Sequence, residues 1–422
     1  MAKIYLETYG CTMNQADTDI MRGILSNKHE IVSLDEAELS IINSCGVIEY
    51  TERKILKRIK ELKKNRKVIL AGCLPRIAGK EVIERVDSAI GTNVYDIKKA
   101  VDAALRNEKL AIVKKSDADK SEFRCVKKRL RRNAIAIFPI AEGCLGKCAF
   151  CATKFARGGL RSYSLQNLVQ EVEEAVKSGY REIQLTAQDT GIYGMDGKNY
   201  RIYDLLNAID RIEGDFRVRV GMMNPGNALK IVDELMSSFS STKTYKFLHV
   251  PVQSGDNRVL RDMNRDHSVE DFVELVSQFR KNFRDSVIST DIIVGFPSEN
   301  DEAFWRSYEL LREVKPEIVN ITRYSERKRT KAAKFKDMPD WIKKERSRKL
   351  TELCRKISYR INSKFKGSNQ RVLITKNGKN GTLLSRTDSY RPVILESGNI
   401  GEFCNVRIVD FSGTFLKGEQ NI

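Results

Sequence analysis

Histidine is scarce in this chain: His29, His249 and His267 are the only three among 422 residues. Long apolar runs are missing too. No stretch approaches the roughly 18 consecutive apolar residues of a membrane-spanning helix. The opening residues "MAKIYLETYG" form neither a basic n-region nor an apolar h-region. The protein is therefore expected to be soluble and cytoplasmic, with no membrane partner. Tandem repeats and low-complexity tracts are absent as well. Cysteine is not scarce, at nine residues. In a reducing cytosol these do not read as a disulfide framework, and metal or redox chemistry is the better expectation.

Acidic residues are outnumbered, 56 against 75 lysines and arginines, for a formal charge of +19. Lysine-rich helices are often no more than solvated faces. An excess this large, with runs such as "KKRLRR" (Lys127 to Arg132) and "RSRKL" (Arg346 to Leu350), favours a polyanionic partner, nucleic acid above all.

Length and pattern point to several domains. From 1 to 113, the strands "KIYLETY", "LSIINS" and "KVILAG" alternate with helical patterns, among them "TERKILKRIKELKK". This βαβ grammar predicts an α/β domain with a parallel sheet. Each strand ends in a cysteine, Cys11, Cys45 and Cys73, each beside a glycine or a turn. Ligands gather beyond the carboxyl ends of strands in such sheets, so the three are candidates for one shared metal site, against the plainer reading of three inert core thiols. A basic linker, 114–133, carries Cys125, to which no role falls.

From 134 to 355 a strand-then-helix unit recurs six times, with strands "AIAIFPIA", "EIQLTA", "FRVRVGM", "KFLHVPV", "VISTDIIVGF" and "EIVNITRY". Helix starts are expected at Ser164, Ser268 and Ser298. Six units are two short of a closed eight-stranded barrel, which predicts an open partial TIM barrel with its chemistry at the C-terminal strand ends. From about Lys356 to 422 the pattern changes to short strands with hairpin-type turns at "NGKNG" and "SGNIG", as in a small all-β, OB-like barrel. Cys354 and Cys404 read there as packing residues.

The loop after the first barrel strand reads "EGCLGKCAFCATKFARG". Its Cys144, Cys148 and Cys151 are one ligand short of a zinc site or an ordinary ferredoxin cluster. Three cysteines instead hold three irons of a four-iron cluster and leave the fourth iron open, which can take the amino and carboxylate groups of S-adenosylmethionine. With Phe150 before the last cysteine, this C-x3-C-x2-C loop resembles the signature of radical S-adenosylmethionine enzymes. Along the whole chain, "ETYGCTMNQAD", "LTAQDTGIYG", "HVPVQSGDNRVLRDMNR" and "DIIVGFP" resemble the methylthiotransferases of that superfamily. In that family the last segment is an RNA-binding TRAM module.

The resemblance implies two 4Fe-4S clusters, a catalytic one on Cys144, Cys148 and Cys151 and an auxiliary one on Cys11, Cys45 and Cys73. It implies that one S-adenosylmethionine methylates a sulfur at the auxiliary site and a second yields a 5′-deoxyadenosyl radical. It places Gln188 at the methionine amino group, Asn224 and Gln253 at ribose or carboxylate, and the Phe150 backbone at adenine. Strand-end capping and burial are the plainer roles for these four. "RVGMMNP" and the cysteine loop look most like the archaeal and eukaryotic threonylcarbamoyl type, so the expected reaction is C2-methylthiolation of the threonylcarbamoylated adenosine 3′ of the anticodon. Expected partners are the tRNA anticodon stem-loop and an electron-donor protein, with the enzyme a monomer. Isopentenyladenosine in tRNA and a ribosomal-protein aspartate are alternative substrates, and a non-catalytic iron-sulfur RNA-binding protein is the alternative of a different class. Some positions depart from the family pattern: Asp266 and His267, "SEND" after Pro297, and Arg329 where glycine is common.

The charge balance generates a first prediction. The affinity for tRNA should fall steeply between low and physiological salt, because each phosphate neutralised releases condensed counterions. A dissociation constant that barely moved over that range would contradict a polyanionic partner.

Overall fold

The computed structural model describes residues 1–114, 119–122 and 133–420. Cys125 and the run Lys127 to Arg132 lie outside the described residues.

The first unit is a six-stranded parallel sheet of β1 (Lys3–Thr8), β2 (Glu30–Ile31), β3 (Leu39–Ser44), β4 (Lys67–Gly72), β5 (Ser88–Ile90) and β6 (Leu110–Ile112), in the order β2-β1-β3-β4-β5-β6. Every residue of β3 is buried, as a strand covered on both faces must be. Ile41 joins the core beneath helices Thr12–Leu25 and Ile97–Leu105, while its neighbour Ile42 faces the helix Glu49–Leu62. The period of two thus divides one strand between two cores.

The central unit has strands β7 (Ile135–Pro139), β10 (Glu182–Thr186), β11 (Arg217–Val220), β12 (Phe247–His249), β13 (Val287–Val294) and β14 (Ile318–Arg323), with a short antiparallel pair, β8 (Ala141–Glu142) and β9 (Arg161–Ser162), at the cysteine loop. The main strands form two parallel three-stranded sheets, β7-β10-β11 and β12-β13-β14. These join where the Val218 amide donates to Lys243 O at 2.7 Å and the Tyr245 amide to Val218 O at 3.0 Å. Among the described residues β7 pairs only with β10 and β14 only with β13, so the barrel is open between them. All six expected strands are present.

Helix starts follow the sequence with one exception. Ser164 caps the helix Leu165–Lys177, and Ser268 forms a capping box with Asp271. Ser298 does not cap. The helix is Asp301–Val314, and the Asn300 side chain accepts from the Ala303 amide at 2.9 Å. Asn300 sits directly before the acidic first turn, where a cap must be, whereas the Ser298 hydroxyl is buried without a partner among the described residues.

The last unit is a closed barrel of β15 (Asn369–Asn377), β16 (Leu383–Thr387), β17 (Pro392–Leu395), β18 (Phe403–Phe411) and β19 (Leu416–Gln420), in the order β15-β16-β17-β19-β18. "NGKNG" makes the expected hairpin between β15 and β16. "SGNIG" does not, because it links β17 to β18, and β19 inserts between those two to close the barrel. A 24-residue helix, Asp340–Ser363, runs through the expected change of pattern at Lys356, and the strands begin only at Asn369. Its Leu350, Leu353 and Cys354 belong to the central core. Arg346, which opens the basic run that the sequence offers to a polyanionic partner, is buried and pairs with Glu299 and Asp301.

The two flanking units occupy opposite ends of the central one. The closed barrel meets the N-terminal ends of the strands: the Ala134 amide donates to Thr375 O at 2.7 Å, Arg217 Nε binds Asp388 at 2.8 Å, and Tyr390 packs on Tyr245 and Phe247. The N-terminal unit meets the C-terminal ends, where Arg76 donates to Phe155 O at 3.1 Å and Arg327 pairs with Glu52.

A stability test follows from the corrected cap. Asn300→Ala should destabilise by about 1 kcal/mol through loss of the cap. Ser298→Ala, which removes a buried hydroxyl without a partner, should be neutral or mildly stabilising. Thermal unfolding of both variants decides between the two positions.

Candidate functional site

The cysteine loop leaves β7 through a turn that only glycine can make. Gly143 has φ +82°, and a Cβ there would lie 1.9 Å from Gly159 O. The β8/β9 pair closes the base of the loop, the Cys144 amide donates to Gly158 O at 3.3 Å, and the Gly143 amide donates to Gln188 Oε1 at 2.6 Å. Above this base, the Gly146 amide donates to Cys144 Sγ at 3.2 Å. A Cβ on Gly146 would be 3.3 Å from Cys144 Sγ and 3.8 Å from Cys148 Sγ, so a bare backbone sits against both sulfurs.

The far side of the loop is held by the residues after the helix Asn257–Asp262. The Ala149 amide donates to Met263 O at 2.8 Å, Asn264 Nδ2 to Lys147 O at 2.7 Å, and Arg265 Nη1 to Cys148 Sγ at 3.4 Å. Burial pushes the Cys144 thiol up to about 11 and that of Cys148 upward as well. Among the described residues no three His, Cys, Asp or Glu side chains are gathered tightly enough for a single metal ion. Two sulfurs set against a bare glycine, each facing an N–H donor, with a third cysteine of the same loop at Cys151, suit a multi-iron cluster better than a zinc ion.

A second cysteine set stands at the carboxyl ends of three adjacent strands, β1, β3 and β4. Cys11 and Cys73 Sγ each lie 3.9 Å from Asn14 Oδ1. Gly10, at φ +121°, lets the backbone approach Cys45, where a Cβ would come within 2.8 Å of the Cys45 Cβ. Burial, reinforced by the neighbouring Cys11 and Cys45, pushes the Cys73 thiol up to about 12. The donor set is again three sulfurs, without a fourth cysteine beside them among the described residues.

One buried network joins the two sets. Arg157, in the cysteine loop, donates through Nη2 to Asn14 Oδ1 and Asp17 Oδ2, both at 2.8 Å, and through Nη1 to Glu142 Oε1 at 2.9 Å. Lys120 Nζ reaches Asp17 Oδ1 at 2.7 Å and Glu142 Oε2 at 3.2 Å. All four charged side chains are at most 2 % exposed, so two cations must cancel two carboxylates. Burial alone would raise the Asp17 pKa, but Lys120 and Arg157 outweigh it and hold the carboxyl below its usual range.

The other expected contacts are committed to differing degrees. Gln188 spends its Oε1 on the cysteine loop. Asn224 caps the helix Pro225–Leu229 by accepting from Gly226 at 2.9 Å, and its Nδ2 donates to Asp266 at 2.7 Å. Phe150 packs against the small core of Val259, Leu260 and Met263. Gln253 has φ +75°, and its backbone joins β12 to β13 through Asp291 O at 2.8 Å, while its side chain makes no hydrogen bond among the described residues. Arg265, Asn14, Arg157 and the buried Asp189, which accepts from Gly191, Asn224 and Asn227, all lie in stretches that stand out in the sequence. None stands out there as an individual residue, because each acts through a partner that only the fold brings beside it.

The departures from the family pattern find local explanations. Arg329 adopts φ +75°, which is why glycine is common there, and its guanidinium lies 4.5 Å from the Phe155 ring centroid. His267 is buried and hydrogen-bonds Val252 O at 3.3 Å, and burial lowers its pKa to about 4, so the ring is neutral and donates. In "SEND", Glu299 accepts from the Gly295 amide at 2.9 Å and pairs with Arg346.

Thiol alkylation tests the arrangement in the iron-free protein. At about pH 8, iodoacetamide should label the exposed Cys11 first, whereas the buried Cys73 and the half-buried Cys144, both with raised pKa, remain thiols and react slowly. Peptide mass mapping that found equal rates at the three positions would contradict it.

Comparison with known proteins adds kinship to this geometry. The radical SAM superfamily model matches residues 138–311, the "Uncharacterized protein family UPF0004" model 3–91 and the TRAM domain model 363–420. Membership of the radical SAM superfamily implies a 4Fe-4S cluster and S-adenosylmethionine. The chain is 58 % identical over 419 residues to a probable threonylcarbamoyladenosine tRNA methylthiotransferase of Archaeoglobus fulgidus, covering 99 % of this chain and 98 % of that one. It is 51 % identical to the protein of the same name from Pyrococcus abyssi, covering 99 % of each. Among solved structures, the radical S-adenosylmethionine methyltransferase TsrM of Kitasatospora setae superposes with a TM-score of 0.58 at 12 % identity, over 79 % of this chain and 74 % of that one, which shows the fold alone. Identity of this order, carried through all three matched regions, leaves one conclusion: the chain belongs to the radical S-adenosylmethionine methylthiotransferase family, on its threonylcarbamoyladenosine side.

Proposed function

We propose that this enzyme converts N6-threonylcarbamoyladenosine, next to the anticodon of tRNA, into its 2-methylthio derivative. The observation that carries the proposal is the pair of three-cysteine sites, each without a fourth cysteine among the described residues, joined through Arg157 and Asn14. Cys144, Cys148 and Cys151 would hold the catalytic cluster, and Cys11, Cys45 and Cys73 a second one. When bound, these groups supply the electron that cleaves the sulfonium of S-adenosylmethionine and the sulfur to be transferred. Radical chemistry suits the target, because C2 of adenine carries no acidic proton for a general base to remove.

The chain's own residues do the rest. N–H donors from Gly146 and Arg265 point at Cys144 and Cys148 Sγ and offset part of the burial that raises both thiols, leaving a cluster's iron to complete their deprotonation. Gln188 fixes the base of the loop through Gly143, a positioning role beside any contact to the methionine group. Gln253, beyond the end of β12, has a side-chain amide without a partner among the described residues, which makes it the better candidate of the strand-end pair for the methionine or ribose. Asn224 is occupied with Gly226 and Asp266. Phe150 would offer backbone to the adenine. The N-terminal unit packs over the same strand ends, which keeps water from a radical formed there.

In this reading residues 1–113 carry the sulfur site, 134–355 the radical site and 356–422 the RNA-binding barrel. The partners are tRNA and an electron-donor protein, and the enzyme is a monomer in the cytoplasm. No helix among the described residues is long and apolar enough to cross a membrane.

The deciding experiment uses anaerobically reconstituted protein, reductant, S-adenosylmethionine and tRNA with or without the threonylcarbamoyl group. Mass spectrometry of the digested nucleosides should show a methylthio gain only on the threonylcarbamoylated adenosine. Cys144→Ala should abolish both 5′-deoxyadenosine and product. Cys73→Ala should retain 5′-deoxyadenosine formation and lose the product. Formation of 5′-deoxyadenosine by the intact enzyme without any nucleoside gain would remove tRNA as the substrate.

A further inference from the structure

The RNA-binding barrel and the cysteine loop lie at opposite ends of the central unit, so an RNA held by both must pass along its side. The helix Asp340–Ser363 spans that side. Its start is at the upper end, where Arg323 Nη1 pairs with Asp340 at 3.2 Å and Lys343 Nζ donates to Tyr324 O at 3.1 Å, beyond the carboxyl end of β14. Its end is at the lower one, where Ser358 Oγ donates to Glu317 O at 3.0 Å, just before β14, and Asn362 Nδ2 donates to Ser412 O of the closed barrel at 2.8 Å.

The helix sorts its cations by face. Lys343 and Arg346 are buried and paired with Asp337 and Glu299, so they fasten the helix to the barrel. Trp341, Lys344, Arg348, Glu352, Arg355 and Tyr359 recur at steps of three and four residues and are all exposed, which places them in one stripe. Lys344, Arg348 and Arg355 have no carboxylate within ion-pair distance among the described residues, and Arg360 beside Tyr359 has none either. The stripe begins at Trp341, 68 % exposed, and closes at Tyr359, 55 % exposed, whose ring packs on Phe411 of the closed barrel with centroids 4.9 Å apart and leaves its outer face open. A merely solvated face has no use for a tryptophan held in water. Cations between exposed aromatic rings are what a nucleic acid backbone and its unstacked bases require. From Trp341 to Tyr359 the stripe runs about 27 Å at the helical rise.

We infer that this outer stripe is a tRNA-binding track that carries the RNA from the closed barrel to the cysteine loop. The inference rests on the tRNA reading proposed above. It assigns to the helix a share of affinity separate from both the barrel and the catalytic end. The occupant is the phosphate backbone of an RNA long enough to span both ends, and a short anticodon stem-loop would use the track only in part.

The test is equilibrium binding by fluorescence anisotropy, with the full chain and two labelled RNAs, a complete tRNA transcript and its isolated anticodon stem-loop. The variant is the triple charge reversal Lys344→Glu, Arg348→Glu, Arg355→Glu, with the triple glutamine variant beside it to separate loss of contact from new repulsion. Thermal unfolding checks that both fold. For complete tRNA the glutamine variant should bind at least tenfold more weakly. The slope of log K against log salt should be shallower by about two to three, since three phosphate contacts are lost. The stem-loop should lose less than threefold. Trp341→Ala should weaken complete tRNA without changing the slope. Equal losses for the two RNAs, or an unchanged slope with complete tRNA, would overturn the track. Failure of the intact protein to bind either RNA would overturn the tRNA reading itself.

Discussion

The buried quartet of Asp17, Glu142, Arg157 and Lys120 is the constraint on which the catalytic arrangement depends. A buried ion pair adds little net stability over an apolar substitute, but removing one partner strands a charge at a cost of about 3–5 kcal/mol. The value of the quartet is therefore registration rather than strength. Asp17 and Asn14 belong to the helix that begins one residue after Cys11, while Glu142 and Arg157 flank Cys144, Cys148 and Cys151 on either side. Only one docking of the two units satisfies all four charges, and that docking brings Arg157 onto the amide that also faces Cys11 and Cys73.

This rigidity at the upper end accounts for the placement of glycine around both cysteine sets. Gly10 and Gly143 take left-handed conformations with backbone or side-chain atoms where a Cβ would be, and Gly146 lies bare against two sulfurs. Around a group held by sulfur, side chains near the ligands would compete for its space. The polar groups left nearby are donors to sulfur or fasteners of the loop, which explains why Gln188 and Asn224 are already engaged in local hydrogen bonds.

What the sequence disclosed follows physical scale. The six central strands and β1, β3 and β4 were legible because their apolar runs span at least one clear period. β2, β5 and β6 have two or three residues each and show no period. Ser298 and Asn300 compete for one cap two residues apart, and composition does not rank them. The turn chemistry of "SGNIG" identifies a turn but is silent on which strands pair, because β19 comes later in the chain. The helix Asp340–Ser363 is so highly charged that its end was invisible, and the burial of Arg346 became evident only once Glu299 was in place. The cysteines themselves were legible because spacing within a short loop is a local property. Asn14, Arg157 and Arg265 act across the fold, so no window of sequence contains both partners.

The open side of the central unit has one more consequence. β7 and β14 are edges whose unpaired backbone groups could template association with other chains. The start of β7 is met by the closed barrel, through the bridge between Asn133 and Lys376, and β14 lies beneath the long charged helix. The long charged helix is thus a guard against self-association. A chain cut before Asp340 would bare the β14 edge, and its first defect would be insolubility rather than weak substrate binding.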